Sequence, residues 1–324
     1  MLRFWRYSDI SNRLLFFLSF IYNGNILSYK FYIKVGTKME RWILLSNCQT
    51  YGLANSMQLL NNGIEIMPVD VGLFRQNVVH YNESFSSYDR VILTHEVETT
   101  EGADFSGAKY ISRIPALSFA GYHPDIVYVT SKKSFIRGPI GDYHSMIALV
   151  AYKHGLNINQ TRNLYNRQFY EACGYMDRWE VESHRLISDF RNFDLDIWPY
   201  IRQWAKHGPF MYSTNHPKIQ CLFDMARVYL EKEGYAAVDS GARPEDKLAF
   251  DNIFAVYPEI SENLGVEGTY LFKKNDSYKL MTLEEFLEQS FMCFDQYEAD
   301  ELTPYPHPYV METYERLVAQ FKKV

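Results

Sequence analysis

Cysteine is scarce. Four stand in 324 residues, Cys48, Cys173, Cys221 and Cys293, widely dispersed and without a C-x-x-C pair, which argues against a disulfide framework or a cysteine zinc site and for a reducing compartment. An excess of positive charge is also missing. The chain has 33 Lys and Arg against 39 Asp and Glu, a formal net charge of -6, the wrong balance for a dedicated nucleic-acid binder. The apolar run Leu14–Tyr22, behind Arg3, Arg6 and Arg13, is shorter than the ~20 residues that span a bilayer, and no small-residue cleavage site follows it. Residues 1–38 are therefore expected to be an extension upstream of the functional domain, not native and arising from a misplaced start codon, with a membrane-surface anchor as the second reading. The signatures G-x-G-x-x-G, Walker A, G-x-S-x-G and H-E-x-x-H are all absent, so nicotinamide, P-loop, α/β-hydrolase and zincin chemistry have no support.

Aromatic side chains are plentiful: 26 Tyr, 22 Phe and 5 Trp. They supply a heavy core and flat, half-polar walls for a pocket. The hydrophobic share of 47% and charged share of 22% are those of a globular chain.

From Met39 the pattern is that of alternating short strands and helices. Trp42–Leu45, Ile64–Val69 and Val91–Thr94 are apolar strands, with Gly52–Leu60 a helix between the first two. Tyr110–Ile114 and Ile126–Val129 add strands, and Phe210–Ser213 one more. Beyond about residue 140 the period is helical, with helices expected at 142–153, 162–172, 178–190, 197–206, 217–232, 283–296 and 310–322. Thr282 and Glu285 form a capping box. The expected architecture is α/β: a small parallel-sheet subdomain over 39–135, embedded in a predominantly helical fold over 136–324, the two forming one catalytic unit.

Polar turns carry the candidate chemistry. Asn47-Cys48-Gln49 follows the first strand and leads into a helix N-terminus, where free amides attract anions and stabilise a thiolate; a buried structural thiol is the bland alternative. Ser213-Thr214-Asn215-His216-Pro217 repeats that geometry. Asn215 is expected as helix N-cap, and the macrodipole then keeps His216 neutral as a base. In Gly138-Pro139-Ile140-Gly141-Asp142-Tyr143-His144-Ser145, Asp142 is expected to cap a helix with His144 in its first turn, as a second base or as a core histidine. His123 and Asp125 interrupt an apolar segment, and His95 follows the third strand. Arg75, Lys132, Lys133 and Arg137 are the candidate phosphate-binding cations. A thiol or hydroxyl nucleophile, a neutral histidine and free amides gathered at one sheet edge make an acyl-transfer site.

Asn47-Cys48-Gln49, Tyr122-His123-Pro124-Asp125, Gly141-Asp142-Tyr143-His144-Ser145 and Thr214-Asn215-His216-Pro217, in that order, resemble the WcbI family of capsular-polysaccharide biosynthesis enzymes over about residues 40–235. Ser46 stands where the family commonly has Gly, which alters the tightness of the first turn. The resemblance implies a mainly helical enzyme built around an α/β subdomain that binds coenzyme A and O-acetylates a sugar of a surface polysaccharide; with the reducing compartment expected from the cysteines, the location expected is cytoplasmic, at the inner face of the membrane if residues 1–38 anchor it. It makes the turn at Cys48 and Gln49 and the histidines 123, 144 and 216 candidates for the site. In that reading His216, ahead of His144, is the general base, and the amides at the Cys48–Gln49 turn, with Asn47 or Asn215, bind the oxyanion. Cys48 either carries the acyl group or lines the thioester pocket. An esterase of acylated carbohydrate and a non-catalytic carbohydrate-binding or assembly protein are the alternatives, and no metal is expected.

Overall fold

The computed structural model describes residues 3–8, 13–22, 25–34, 39–132 and 134–321. The first three strands, β1 (Arg3–Ser8), β2 (Arg13–Tyr22) and β3 (Asn25–Lys34), form an antiparallel meander. The leader-like run from Leu14 thus lies in a strand. No helix among the described residues is long and apolar enough to cross a membrane.

A four-stranded parallel sheet follows, built from β4 (Glu40–Ser46), β5 (Ile64–Asp70), β6 (Arg90–Leu93) and β7 (Ile111–Arg113) in the order β5-β4-β6-β7. Both faces are covered, as the near-continuous apolar strands require. Trp42, Leu44 and Ile92 point to one face and Ile43, Leu45, Val91 and Leu93 to the other, because successive side chains alternate. The first face packs under α1 (Thr50–Leu60). The second is covered by α2 (Val71–Gln76), α3 (Val78–Ser84) and α4 (His95–Glu98). The chain moves outward from β4 to β5 and then crosses back to β6. The carboxyl ends of β4 and β6 are therefore the topological switch point, where open parallel sheets leave a crevice for ligands.

Next come the short strands β8 (Ile126–Val127), β9 (Val129–Ser131), β10 (Ser134–Phe135) and β11 (His144–Ser145). Four helices follow: α5 (Met146–Lys153), α6 (Ile158–Arg162), α7 (Arg167–Cys173) and α8 (Arg178–Arg191). The chain continues with α9 (Trp198–Lys206), α10 (Ile219–Lys232) and α11 (Pro258–Leu264). The last elements are β12 (Phe272–Lys273), β13 (Leu280–Met281), α12 (Leu283–Phe294), β14 (Thr303–Pro304) and α13 (Pro308–Phe321). The expected capping box at Thr282 and Glu285 is formed.

Two large cores divide these elements. Buried residues of α8, α9 and α10, among them Leu186, Trp204 and Leu222, join the sheet core. Residues 126–150, α7, α12 and α13 make a second core around Ile147, Tyr257 and Phe286. The helical region from residue 136 is thus shared between the two cores.

Three local expectations are corrected. Asp142 does not cap a helix; Ser145 does, its side chain accepting from the Ala148 amide, and His144 lies before the helix in β11. Asn215 is not an N-cap, because α10 begins at Ile219 behind Lys218. Residues 210–213 make only an isolated bridge, Met211 with Pro217, the two arms of a hairpin whose tip is the Asn215 turn.

Candidate active site

The site begins where β4 stops. Asn47 folds the chain back on itself: its Oδ1 accepts the Gln49 amide at 3.1 Å, and its carbonyl accepts the Thr50 amide at 3.0 Å and the Thr50 hydroxyl at 2.6 Å. One of the amides expected to be open for an oxyanion, that of Gln49, is thus already taken. Cys48 sits on this turn with Sγ 3.8 Å from the Asn215 carbonyl oxygen and 3.9 Å from Asn47 Oδ1. Gln49 turns the other way, into the protein, where Nε2 donates to the carbonyls of Leu117 and Asn215 and Oε1 accepts the Leu117 amide. Gln49 is a clamp between three chain segments and does not line the cavity.

The 210–218 hairpin is pinned by Tyr212 N–H to the His216 carbonyl at 2.7 Å and Lys218 N–H to the Phe210 carbonyl at 2.9 Å. Its tip receives Tyr143, whose hydroxyl donates to Asn215 Oδ1 at 2.5 Å, while Ser213 Oγ donates to the Tyr143 oxygen at 3.0 Å and to Asn215 Oδ1 at 3.2 Å. With Oδ1 occupied on two sides, the amide nitrogen of Asn215 is the donor that faces the cavity, where the Tyr128 hydroxyl is also a hydrogen-bond partner of this side chain.

These segments enclose a cavity of about 450 Å³ bordered by Cys48, Tyr143, Asn215 and His216, with Asp251 and Arg137 among its other walls. His216 is 5% exposed, its Nδ1 has no hydrogen-bond partner among the described residues, and Nε2 stands 4.0 Å from Asp251 Oδ2. Burial pushes the imidazole below its usual value, and Asp251 partly opposes that. His216 is therefore neutral near pH 7, as expected, but through desolvation and not through a helix dipole. Burial raises the Cys48 thiol to about 12, with Asp251 and Asp70 adding to the rise. The sequence-based expectation of a thiolate is thus reversed: burial, reinforced by the nearby carboxylates, outweighs the amides of this turn.

Of the other candidates, Asp142 and Arg137 border the cavity and face each other at 3.5 Å. His144 does not border it. The ring is fully buried, with Nε2 3.1 Å from the Ile136 carbonyl oxygen and its face stacked on Phe294. His123 is wedged between the carbonyls of Ala255 and Met211, 3.3 and 3.5 Å away, and burial lowers its pKa to about 4. Asp125 is fully buried. It accepts from the hydroxyls of Tyr175 and Tyr257 and from the Ile147 amide at the start of α5, and burial lifts its pKa to about 6. Both residues hold the core together. His95 is exposed at the start of α4, away from the cavity lining. Arg75 pairs with Glu96 on the surface, and Lys132 pairs with Glu301 in a separate cleft. Lys133 lies outside the described residues.

Sequence reasoning missed Asp251, Asn252, Lys274 and Asn275, all on the cavity wall. They come from irregular connections with no motif spacing. One indirect signal existed: Gly141 has φ +74, and a Cβ there would stand 2.8 Å from Asn252 Nδ2, so the Gly-Asp-Tyr turn is shaped to receive that loop. Arg137 and Lys274 also border an adjoining groove of about 310 Å³ alongside α12, so two cations stand where the two hollows meet. Among the described residues there is no cluster of His, Cys, Asp and Glu able to hold a metal ion.

The model of the family described as polysaccharide biosynthesis enzyme WcbI matches residues 41–237. No curated protein matches the chain. A solved structure of WcbI, described as a polysaccharide biosynthesis enzyme in a native form without a disulfide bond between coenzyme A and a cysteine, is similar with a TM-score of 0.60 at 13% identity. The match covers 87% of this chain and 96% of that one. At that identity the likeness is one of fold.

Proposed function

The chain belongs to the WcbI family of polysaccharide biosynthesis enzymes, and from that premise we propose that it transfers an acetyl group from a coenzyme A thioester to a hydroxyl of a sugar bound for a surface polysaccharide. One observation carries this reading: a neutral, buried imidazole, a carboxylate and an amide donor border the same cavity as the lone early thiol. The cavity suits the donor in two respects. It is within the ~300–1,000 Å³ of small-molecule sites, and its rim holds Arg137, whose side chain is 86% exposed, together with Lys274, cations placed for phosphate groups.

When bound, the thioester supplies an activated acyl carbonyl. His216 Nε2 takes the proton of the acceptor hydroxyl as its oxygen bonds to that carbonyl carbon. The same imidazolium returns the proton to the sulfur as the C–S bond breaks. General-base assistance of this kind is worth ~10²–10⁴ in rate. Asp251 stabilises the imidazolium between the two proton transfers. Asn215 Nδ2, held by Tyr143 and Ser213, donates to the oxygen that gains charge, and removing one such donor costs ~10²–10³ in kcat. Cys48, its pKa pushed up to about 12 by burial and hence a protonated thiol near neutral pH, lines the sulfur end of the donor site. In the solved relative, coenzyme A and a cysteine are the named partners of the absent disulfide, which supports placing the coenzyme's sulfur beside a thiol here.

The test is calorimetric titration of the full chain with coenzyme A and with acetyl-CoA, followed by mass spectrometry of an oligosaccharide acceptor. Binding of both, with an added acetyl group on the sugar, is expected. Absence of coenzyme A binding removes the reading, and hydrolysis of simple acyl esters without such binding replaces it with an esterase. Cys48→Ala retains transfer if the thiol only lines the pocket; complete loss with binding intact assigns it the covalent role.

A further inference from the structure

A second cavity, of about 360 Å³, lies between α9 and α10, and the chemistry just described makes no use of it. Its floor is made by Trp204, Phe210 and Asp224, each no more than 5% exposed, and its rim by the exposed Gln203 and His207. Gly208, at φ +94, has no heavy atom within 4 Å of where a Cβ would stand, so the wall is open at that point.

Asp224 is the telling residue. It is a carboxylate in the apolar face of α10 with no Lys, Arg or His within ion-pair distance among the described residues. Trp204 Nε1 donates to its Oδ2 at 2.8 Å, and Gln220 Nε2 lies 3.0 Å from both oxygens. Two neutral donors orient the carboxylate without neutralising it, and a carboxylate has about four lone-pair sites to fill. A buried carboxylate that accepts only from two neutral donors, beside an indole and under a rim of amide and imidazole, keeps lone pairs to offer a ligand's hydroxyl groups. A pyranose answers each element: a face of C–H bonds for the aromatic floor, and hydroxyl groups that donate to a carboxylate and accept from an amide or imidazole.

We propose that this cavity holds one sugar unit of the polysaccharide acceptor, at a subsite next to the reacting one. The 210–218 hairpin joins the two places. Phe210 and Lys218 border the second cavity, and Asn215 and His216 border the first. Lys218 follows His216 by two residues, so their Cα atoms are at most ~7 Å apart. The inference rests on the family's place in polysaccharide biosynthesis and not on acyl transfer, so failure to bind coenzyme A leaves it standing.

The full-length protein, labelled at its N-terminus, is applied to a printed array of bacterial surface oligosaccharides. Retention on one or more glycans is expected. The double variant Gln203→Ala/His207→Ala, changed only at exposed rim positions, should lose at least tenfold in apparent affinity, and Asp224→Asn a similar amount or more. Far-ultraviolet circular dichroism checks that each variant is folded, and the rim variant carries the test if Asp224→Asn is not. A silent array, or equal retention of the rim variant and the unaltered chain, overturns the proposal. Displacement of a bound glycan by a simple aromatic compound, with no effect of free monosaccharide, overturns it in favour of an apolar ligand.

Discussion

The side-chain amide of Gln49 closes a two-bond ring with the main chain of Leu117, Nε2 donating to its carbonyl at 2.7 Å and Oε1 accepting its N–H at 3.0 Å. A further contact, from Nε2 to the Asn215 carbonyl at 2.9 Å, ties the Cys48 turn, the loop after β7 and the tip of the 210–218 hairpin into one unit. Gln49→Leu keeps the volume and strips every one of these bonds. Each buried group left unpaired costs ~1–3 kcal/mol, so a loss of about 3 kcal/mol or more is expected in urea unfolding. Transfer activity should fall further than the folded fraction does, because Asn215 loses its support.

The Asp251 carboxylate favours the charged form of His216 and burial disfavours it, with burial the larger effect. The base must be neutral to act, so kcat/KM should fall on the acid side along a limb set by this imidazole. That limb is expected below ~6.5, the ordinary histidine value. Asp251→Asn removes that opposing influence and moves the limb to still lower pH. A pH–rate profile of both proteins is the check; a limb at or above pH 6.5 in the unaltered enzyme contradicts the assignment.

His123 and Asp125 are two residues apart and titrate in opposite senses. His123 goes from an ordinary 6.5 to about 4, so its contribution is complete above pH 6.5 and is lost as pH falls toward 4. Asp125 goes from 3.8 to about 6, so its contribution is complete below pH 3.8 and is lost as pH rises through 6. At 1.36 kcal/mol per pH unit each is worth ~3 kcal/mol, and over pH 4–6.5 they nearly cancel. Relative to the unaltered chain, His123→Gln should gain stability on acidification across that range and Asp125→Asn should lose it. Urea unfolding at pH 4.5 and pH 7 measures both.

Gly138 is required by a ring and not by its own backbone. A Cβ there would stand 2.7 Å from His144 Cε1 and 2.9 Å from His144 Nδ1, and that ring is held by the Ile136 carbonyl and by Phe294. Gly138→Ala is expected to destabilise the fold by ~1–3 kcal/mol, the usual cost of overpacking. His144→Gln should also lower the melting temperature while leaving the acid limb of the pH–rate profile where it was. A moved limb would return His144 to the catalytic set.

Much of the fold was legible in local pattern. Trp42–Leu45, Ile64–Val69 and Val91–Thr94 are strands within a residue or two of expectation, and the helices at 178–191, 198–206 and 283–294 agree as closely, because periodicity and capping act over a few neighbouring residues. The order of the motifs also pointed to the family. What the sequence separated only by a narrow ranking was His216 from His144. Both stand in turns rich in Gly, Pro or Asn, and both are neutral, yet one borders a cavity and the other stacks on Phe294 from an element 150 residues away.

By itself, then, the sequence determined which segments are strands and helices, that Cys48 stands at the end of the first parallel strand, and that the early thiol and the later Asn-His turn belong to one family pattern. Only the tertiary structure decided that Asp251 stands by His216, that Arg137 and Lys274 hold the rim, that Gln49 is a clamp, and that His123 and Asp125 are core. Local propensity depends on neighbours along the chain. Burial, ionisation and the meeting of distant loops depend on neighbours in space, and those are set by how two hydrophobic cores pack around one sheet edge.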